Sequence, residues 1–130
     1  VRRSQTHLDV MRRALDDMIL HTLNSEEGRI ADKRFHGALL RATCNPFIIS
    51  LTNGVTSAVH ALTEFKMRGA ALKRDPSPDH VRVYDAIAAK DAKRARAAME
   101  ELIRLAIMDT PMKERPKYSA KSRFLPELEE

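Results

Sequence analysis

The sequence has little of what marks the commonest functional classes. No stretch approaches the roughly 18 consecutive apolar residues of a membrane span, and no charged, apolar and small-residue succession marks a secretory leader. The expectation is a soluble, cytoplasmic chain with no membrane partner. Only one of the 130 residues is cysteine. Cys44 therefore cannot close an internal disulfide and lacks the paired spacing of a zinc ribbon, which fits a reducing compartment. On its own it reads as a small buried hydrophobe. A glycine-rich phosphate loop, a strand-borne nucleophile elbow and a His-Glu-x-x-His pair are all missing, and the order of Ser, His and Asp forms no triad. An enzyme is not expected. No fixed-period repeat and no strand pattern survives counting.

Positive charge is in excess without being collected in one place. Lys and Arg number 23 against 18 Asp and Glu, for a net charge of +5, a balance that suits phosphate backbones. Yet Arg12 and Arg13 are followed by Asp16 and Asp17, and Asp91 sits among Lys90, Lys93 and Arg94. Such interleaving reads as a solvated helix surface rather than a nucleic-acid stripe. A chain of this length is one domain by default, able to bury roughly two-thirds of its unfolded surface. It opens on Val1, Arg2 and Arg3 rather than Met, which reads as a piece of a longer protein.

Apolar periodicity supplies the fold. Ser4 or Thr6 can cap a first helix in which Leu8, Met11, Leu15 and Met18 or Ile19 recur at steps of three and four, ending near Leu23. Asn24 followed by Glu27 resembles a capping box, with Ser25 a competing cap, and Ile30, Ala31, Phe35, Ala38, Leu39 and Ala42 form the apolar side of a second helix. Asn45-Pro46 starts a third. Asn53-Gly54 between apolar runs could be a hairpin turn. However, Ile48, Leu51, Val55, Ala58 or Val59, Leu62 and Phe65 keep a helical period through the glycine. That count predicts one long helix bent at Gly54 and closing near Gly69, followed by a loop around 73–76. Ser77-Pro78 repeats the cap-and-proline start, with His80, Val83, Tyr84 and Ile87 at helical spacing. Asp91 caps a last helix over Ala92–Met108, where Ala95, Met99, Leu102, Ile103 and Ala106 form the stripe. The fold class is all-α, an antiparallel helical bundle. Residues 1–109 make the domain, and 110–130, with three prolines between 111 and 126 and many charges, an extended tail.

Five histidines are the candidates for chemistry. His7 and His21 lie near the ends of the first helix with no carboxylate placed to make a metal pair. His60, near the apolar side of the long helix, can line a cavity or be hydrogen-bonded in a core. Asp32 and His36 differ: residues four apart share one helix face. A carboxylate oxygen with a neutral imidazole suits zinc, nickel or manganese. The alternative is a helix-stabilising Asp-His pair worth a few tenths of a kcal/mol.

Three segments taken in order carry a resemblance: Asp32 to Leu39 with Phe35 and His36, Ala42 to Ile48 with Asn45 and Pro46, and His80 to Ile87 followed by Asp91 and Ala95. Over about residues 8–108 they resemble the FCD domain, the effector module of FadR-subfamily GntR transcriptional regulators. The resemblance implies an all-helical bundle around a small carboxylate-bearing metabolite, in a homodimer whose DNA affinity the metabolite shifts. It further implies a divalent metal held by one aspartate and three histidines, of which Asp32, His36 and His80 fall on three. Leu102 stands at the expected fourth position, which weakens the site. Asn45 and His60 are the remaining effector-binding candidates. The family's winged helix-turn-helix and first effector-domain helix would precede Val1, so that DNA is reached only through a part outside this chain. The competing expectations are a helical assembly module with a filled core, and a metal-dependent hydrolase, for which no general base or oxyanion donor stands out.

Overall fold

The computed structural model describes residues 3–68 and 70–110. Gly69 and the tail expected over 110–130, apart from Thr110, lie outside them. Among the described residues six helices follow one another: α1 Gln5–His21, α2 Glu26–Arg41, α3 Pro46–Ser50, α4 Thr52–Lys66, α5 Ser77–Ala88 and α6 Ala92–Met108. The bundle is all-helical, as the periodicity implies.

Local chemistry sets most of the boundaries. Ser4 caps α1 by accepting from the His7 amide, and the His7 ring accepts in return from the Ser4 amide. Here a histidine occupies the position usually filled by Glu or Gln in a capping box. Ser25, not Asn24, caps α2. Asn24 instead accepts from the Leu72 amide at 2.8 Å, tying the loop before α5 to the α1–α2 turn. Asp91 caps α6 through the Arg94 amide. Ser77 does not cap α5, because its own amide is taken by the Asp75 carboxylate at 2.9 Å and the helix begins on it.

The expected long helix is two helices, broken at Leu51 rather than bent at Gly54. The Leu51 amide bonds back three residues to Ile48. The Ser50 hydroxyl donates to the Phe47 carbonyl at 2.6 Å and the Thr52 hydroxyl to the Ile49 carbonyl at 2.6 Å. Two hydroxyls thus serve carbonyls that a continuous helix would serve with amides, and the chain turns there. α4 closes at Lys66, short of Gly69.

Phe35, Met11, Leu15, Met18 and Val83 are fully buried and, with Leu23, Ala31, Ala38 and Leu102, form the core. α2 packs on α1 and on α4, α1 also meets α5, and α5 packs on α6. α4 and α6 end this chain of contacts without packing on each other. The face that α4 buries lies one residue, roughly 100°, round the helix from the one its apolar period selects. Thr56 and Thr63 are buried and Thr52 and Val59 half-buried, while Leu51, Val55, Ala58, Leu62 and Phe65 are exposed. The threonines can go inside because their hydroxyls donate to helix carbonyls, Thr56 to Thr52 at 2.8 Å and Thr63 to Val59 at 3.1 Å, leaving the methyls to pack. Ile30 and Ile103 are likewise exposed. So is Cys44, which is carried out by a left-handed turn (φ 52°) after α2 rather than buried.

One glycine is required by its surroundings. A Cβ on Gly28 would lie 1.7 Å from the Thr22 carbonyl oxygen, whereas one on Gly54 would meet nothing within 4 Å. Gly28→Ala is expected to destabilise by about 1–3 kcal/mol as the α1–α2 turn is pushed off α2. Gly54→Ala should stabilise by about 1 kcal/mol through helix propensity. Urea unfolding midpoints of the two variants check this contrast.

Candidate metal centre and its cavity

Asp32 and His36 sit one turn apart on the inner face of α2, and His80 is in the first turn of α5. The α1–α2 hairpin and the packing of α5 on α1 bring them together, with relative exposures of 3%, 8% and 3%. One atom from each converges. Asp32 Oδ1 is 3.3 Å from His36 Nε2 and 3.0 Å from His80 Nε2, and the two imidazole nitrogens are 3.2 Å apart. Donors that share one ion at about 2.0–2.1 Å stand roughly 3.0–3.4 Å from each other, so these edges are those of three ligands on one face of a cation.

The hydrogen-bond pattern points the same way. His80 Nδ1 lies 2.8 Å from the Pro76 carbonyl oxygen, which can only accept. The ring proton is therefore on Nδ1, and in the neutral ring Nε2 presents its lone pair to the cluster. Asp32 Oδ1 is buried and, despite two nitrogens at contact distance, receives no aligned hydrogen bond. Such a buried acceptor is costly unless a cation or proton serves it. Burial is the largest influence on the Asp32 carboxyl and pushes its pKa up. The interactions with the His36 and His80 imidazoles outweigh it and hold the group well below the usual carboxylate range, so it is ionised.

Phe35 fixes the ring orientations. Its centroid lies 5.7 Å from that of His36 and 5.2 Å from that of His80, both edge-to-face. Its neighbour in sequence is thus a ligand candidate, while its own side chain is part of the core.

The cluster forms part of the wall of a cavity of about 300 Å³. α4 contributes Val59, Leu62, Thr63 and Lys66; α6 contributes Leu102, Ala106 and Met108; the loop 70–76 closes one side. The space exists because α4 and α6 do not pack together. Leu102, which the resemblance puts in place of a fourth ligand, lines this same cavity and leaves that side of the cluster apolar. His60 is on α4 but does not line the cavity, and its Nε2 is 3.1 Å from Glu64. Asn45 is also away from it, capping α3 through the Phe47 amide.

Lys66 and Arg74 belong to no motif in the sequence, yet both line the cavity. Arg74 bridges Asp79, at the start of α5, to Asp109, just past the end of α6, at 2.6 and 2.8 Å, and Arg82 pairs with the other oxygen of the buried Asp79. This network holds the loop against both helices. Lys66 is half-buried, and burial, the largest effect on it, lowers its pKa. A signal for Lys66 was available: Thr52, Thr56, Val59, Thr63 and Lys66 follow at steps of four and three, a second stripe one residue on from the apolar one.

Among the described residues no helix is long and apolar enough to cross a membrane. The family model of the FCD domain matches residues 1–105. No curated protein matches the chain.

Proposed function

Because the chain belongs to the FCD domain family, whose members are the C-terminal ligand-binding regulatory domains of GntR-type regulators, we propose that it is the sensor of a FadR-type regulator. In this reading Asp32, His36 and His80 hold a divalent cation such as zinc, nickel or manganese. A small organic acid enters the cavity beside it, and occupancy alters the operator affinity of a DNA-binding domain joined to it. The observation that carries the reading is the convergence of one carboxylate oxygen and two imidazole nitrogens, all buried, on the wall of a cavity.

The cation would supply a Lewis-acidic anchor for a carboxylate. The chain's own residues do the rest. The Pro76 carbonyl sets the His80 tautomer, Phe35 sets the ring planes, and the apolar wall of Leu62, Leu102 and Ala106 excludes water from the anchored acid. A sensor needs an effector that favours one global state over another, since equal affinity for both shifts nothing. The wall shared by α4, α6 and the 70–76 loop is suited to this, because those elements meet only around the cavity.

Thermal unfolding tests the proposal. Zinc, nickel or manganese should raise the melting temperature of the native chain but not of His36→Ala, and small carboxylic acids should raise it further only when metal is present. Melting curves unmoved by every metal and acid would refute it. A second reading, a helical assembly module, draws on the exposed stripe Leu51, Val55, Ala58, Leu62 and Phe65. It gives no reason for three buried ligand atoms to face a cavity.

A further inference from the structure

The cavity has two chemically different sides. α2 and α5 supply the Asp32, His36 and His80 cluster, and the end of α4 supplies Lys66. Both charged walls line the same cavity. Lys66 is the half-buried cation of this cavity that has no carboxylate within ion-pair distance among the described residues. Lys73 and Arg74 also line it, but Lys73 is exposed and Arg74 is already shared between Asp79 and Asp109. A half-buried ammonium that has lost much of its water and gained no counter-ion is an electrostatic vacancy for an anion.

Charge counting gives the same result. The Arg74, Arg82, Asp79 and Asp109 network is neutral within itself. What remains facing the cavity, the exposed Lys73 aside, is one carboxylate, two imidazoles and one ammonium. A divalent cation on the cluster leaves that cavity with two positive charges in excess, and a buried excess of that kind is best offset by two negative charges on the ligand. The volume of about 300 Å³ is at the small end of ligand pockets.

We propose that Lys66 is the specificity-determining residue of this site, and that the effector is a short dianionic acid with one anionic group at the Asp32, His36 and His80 cluster and the other at the Lys66 ammonium. This rests on the sensor reading above and narrows it from organic acids in general to those with two anionic ends. Lys66 acts as a compact point charge, so its requirement is for charge at a given reach rather than for a bidentate shape.

The test is titration calorimetry on the zinc-loaded chain with two probes of equal chain length, succinate and butyrate, on native protein, Lys66→Met and Lys66→Arg. Succinate should bind at least tenfold more tightly than butyrate to the native chain. Lys66→Met should lose that preference, weakening succinate at least tenfold more than it weakens butyrate, and Lys66→Arg should restore part of it. Equal affinity for the two probes in the native chain, or an equal loss for both in Lys66→Met, would overturn the assignment while leaving a zinc-dependent monoacid sensor intact. Failure of the native chain to bind zinc would overturn this proposal and the sensor reading together.

Discussion

Phe35→Ala is expected to cost about 3–5 kcal/mol of folding stability, the range for emptying a fully buried aromatic site. Phe35 has no exposed surface, and its ring contacts both imidazoles as well as the apolar core. Domains of this size are stable by only about 5–15 kcal/mol, so the alanine variant should be close to its limit. Phe35→Leu keeps most of the volume and separates packing from orientation. It should remain folded, yet bind zinc about 10–100-fold more weakly, the usual effect of disturbing groups that hold metal ligands in place. Urea midpoints and zinc titrations of both variants check the two halves. A leucine variant with native zinc affinity would show that the rings keep their places without Phe35.

Asp32→Asn should have the larger effect on binding. The substitution is nearly isosteric, but it removes the cluster's negative charge, which is 3.0 and 3.3 Å from the two imidazole nitrogens. Loss of a ligand should exceed the 10–100-fold effect of disturbing a ligand's partner, so zinc affinity is expected to fall by about 100-fold or more. The same carboxyl links stability to pH. Its folded pKa lies below the ordinary value of 3.8, so its charged form adds stability that is present above that value. That contribution is lost as the pH falls through the folded pKa. Asp32→Asn should therefore unfold with a shallower acid limb than the native chain, as followed by circular dichroism in the absence of metal.

How much of this was legible in the sequence depends on whether the signal is local. Helix existence and caps are local: Asp91, Ser25 and the proline after Asn45 act within three residues of themselves, and the structure places helices after each. So is the i, i+4 relation that puts Asp32 and His36 on one face. Which face of α4 turns inward is not local. Its apolar stripe is the regular one, but burial goes to threonines whose hydroxyls are satisfied by their own helix. A count of apolar residues scores those threonines as polar, which hid Lys66 as well. The break at Leu51 was missed for a related reason, since Ser50 and Thr52 compete with the backbone for carbonyls in a segment whose hydrophobic period runs straight on. His80 lies 44 residues from His36. Nothing in periodicity joins them, and only the resemblance to a family carried that link before the fold did.

The measurement that bears most directly on the central claim is X-ray absorption at the zinc edge of the chain loaded with one equivalent of zinc. A centre built from Asp32, His36 and His80 should show two imidazoles per zinc, the remaining donors being oxygen at about 2.0–2.2 Å, and this signature should disappear in His36→Ala. Zinc bound through sulfur, through a different number of imidazoles, or unchanged in that variant would place the ion elsewhere and contradict the account.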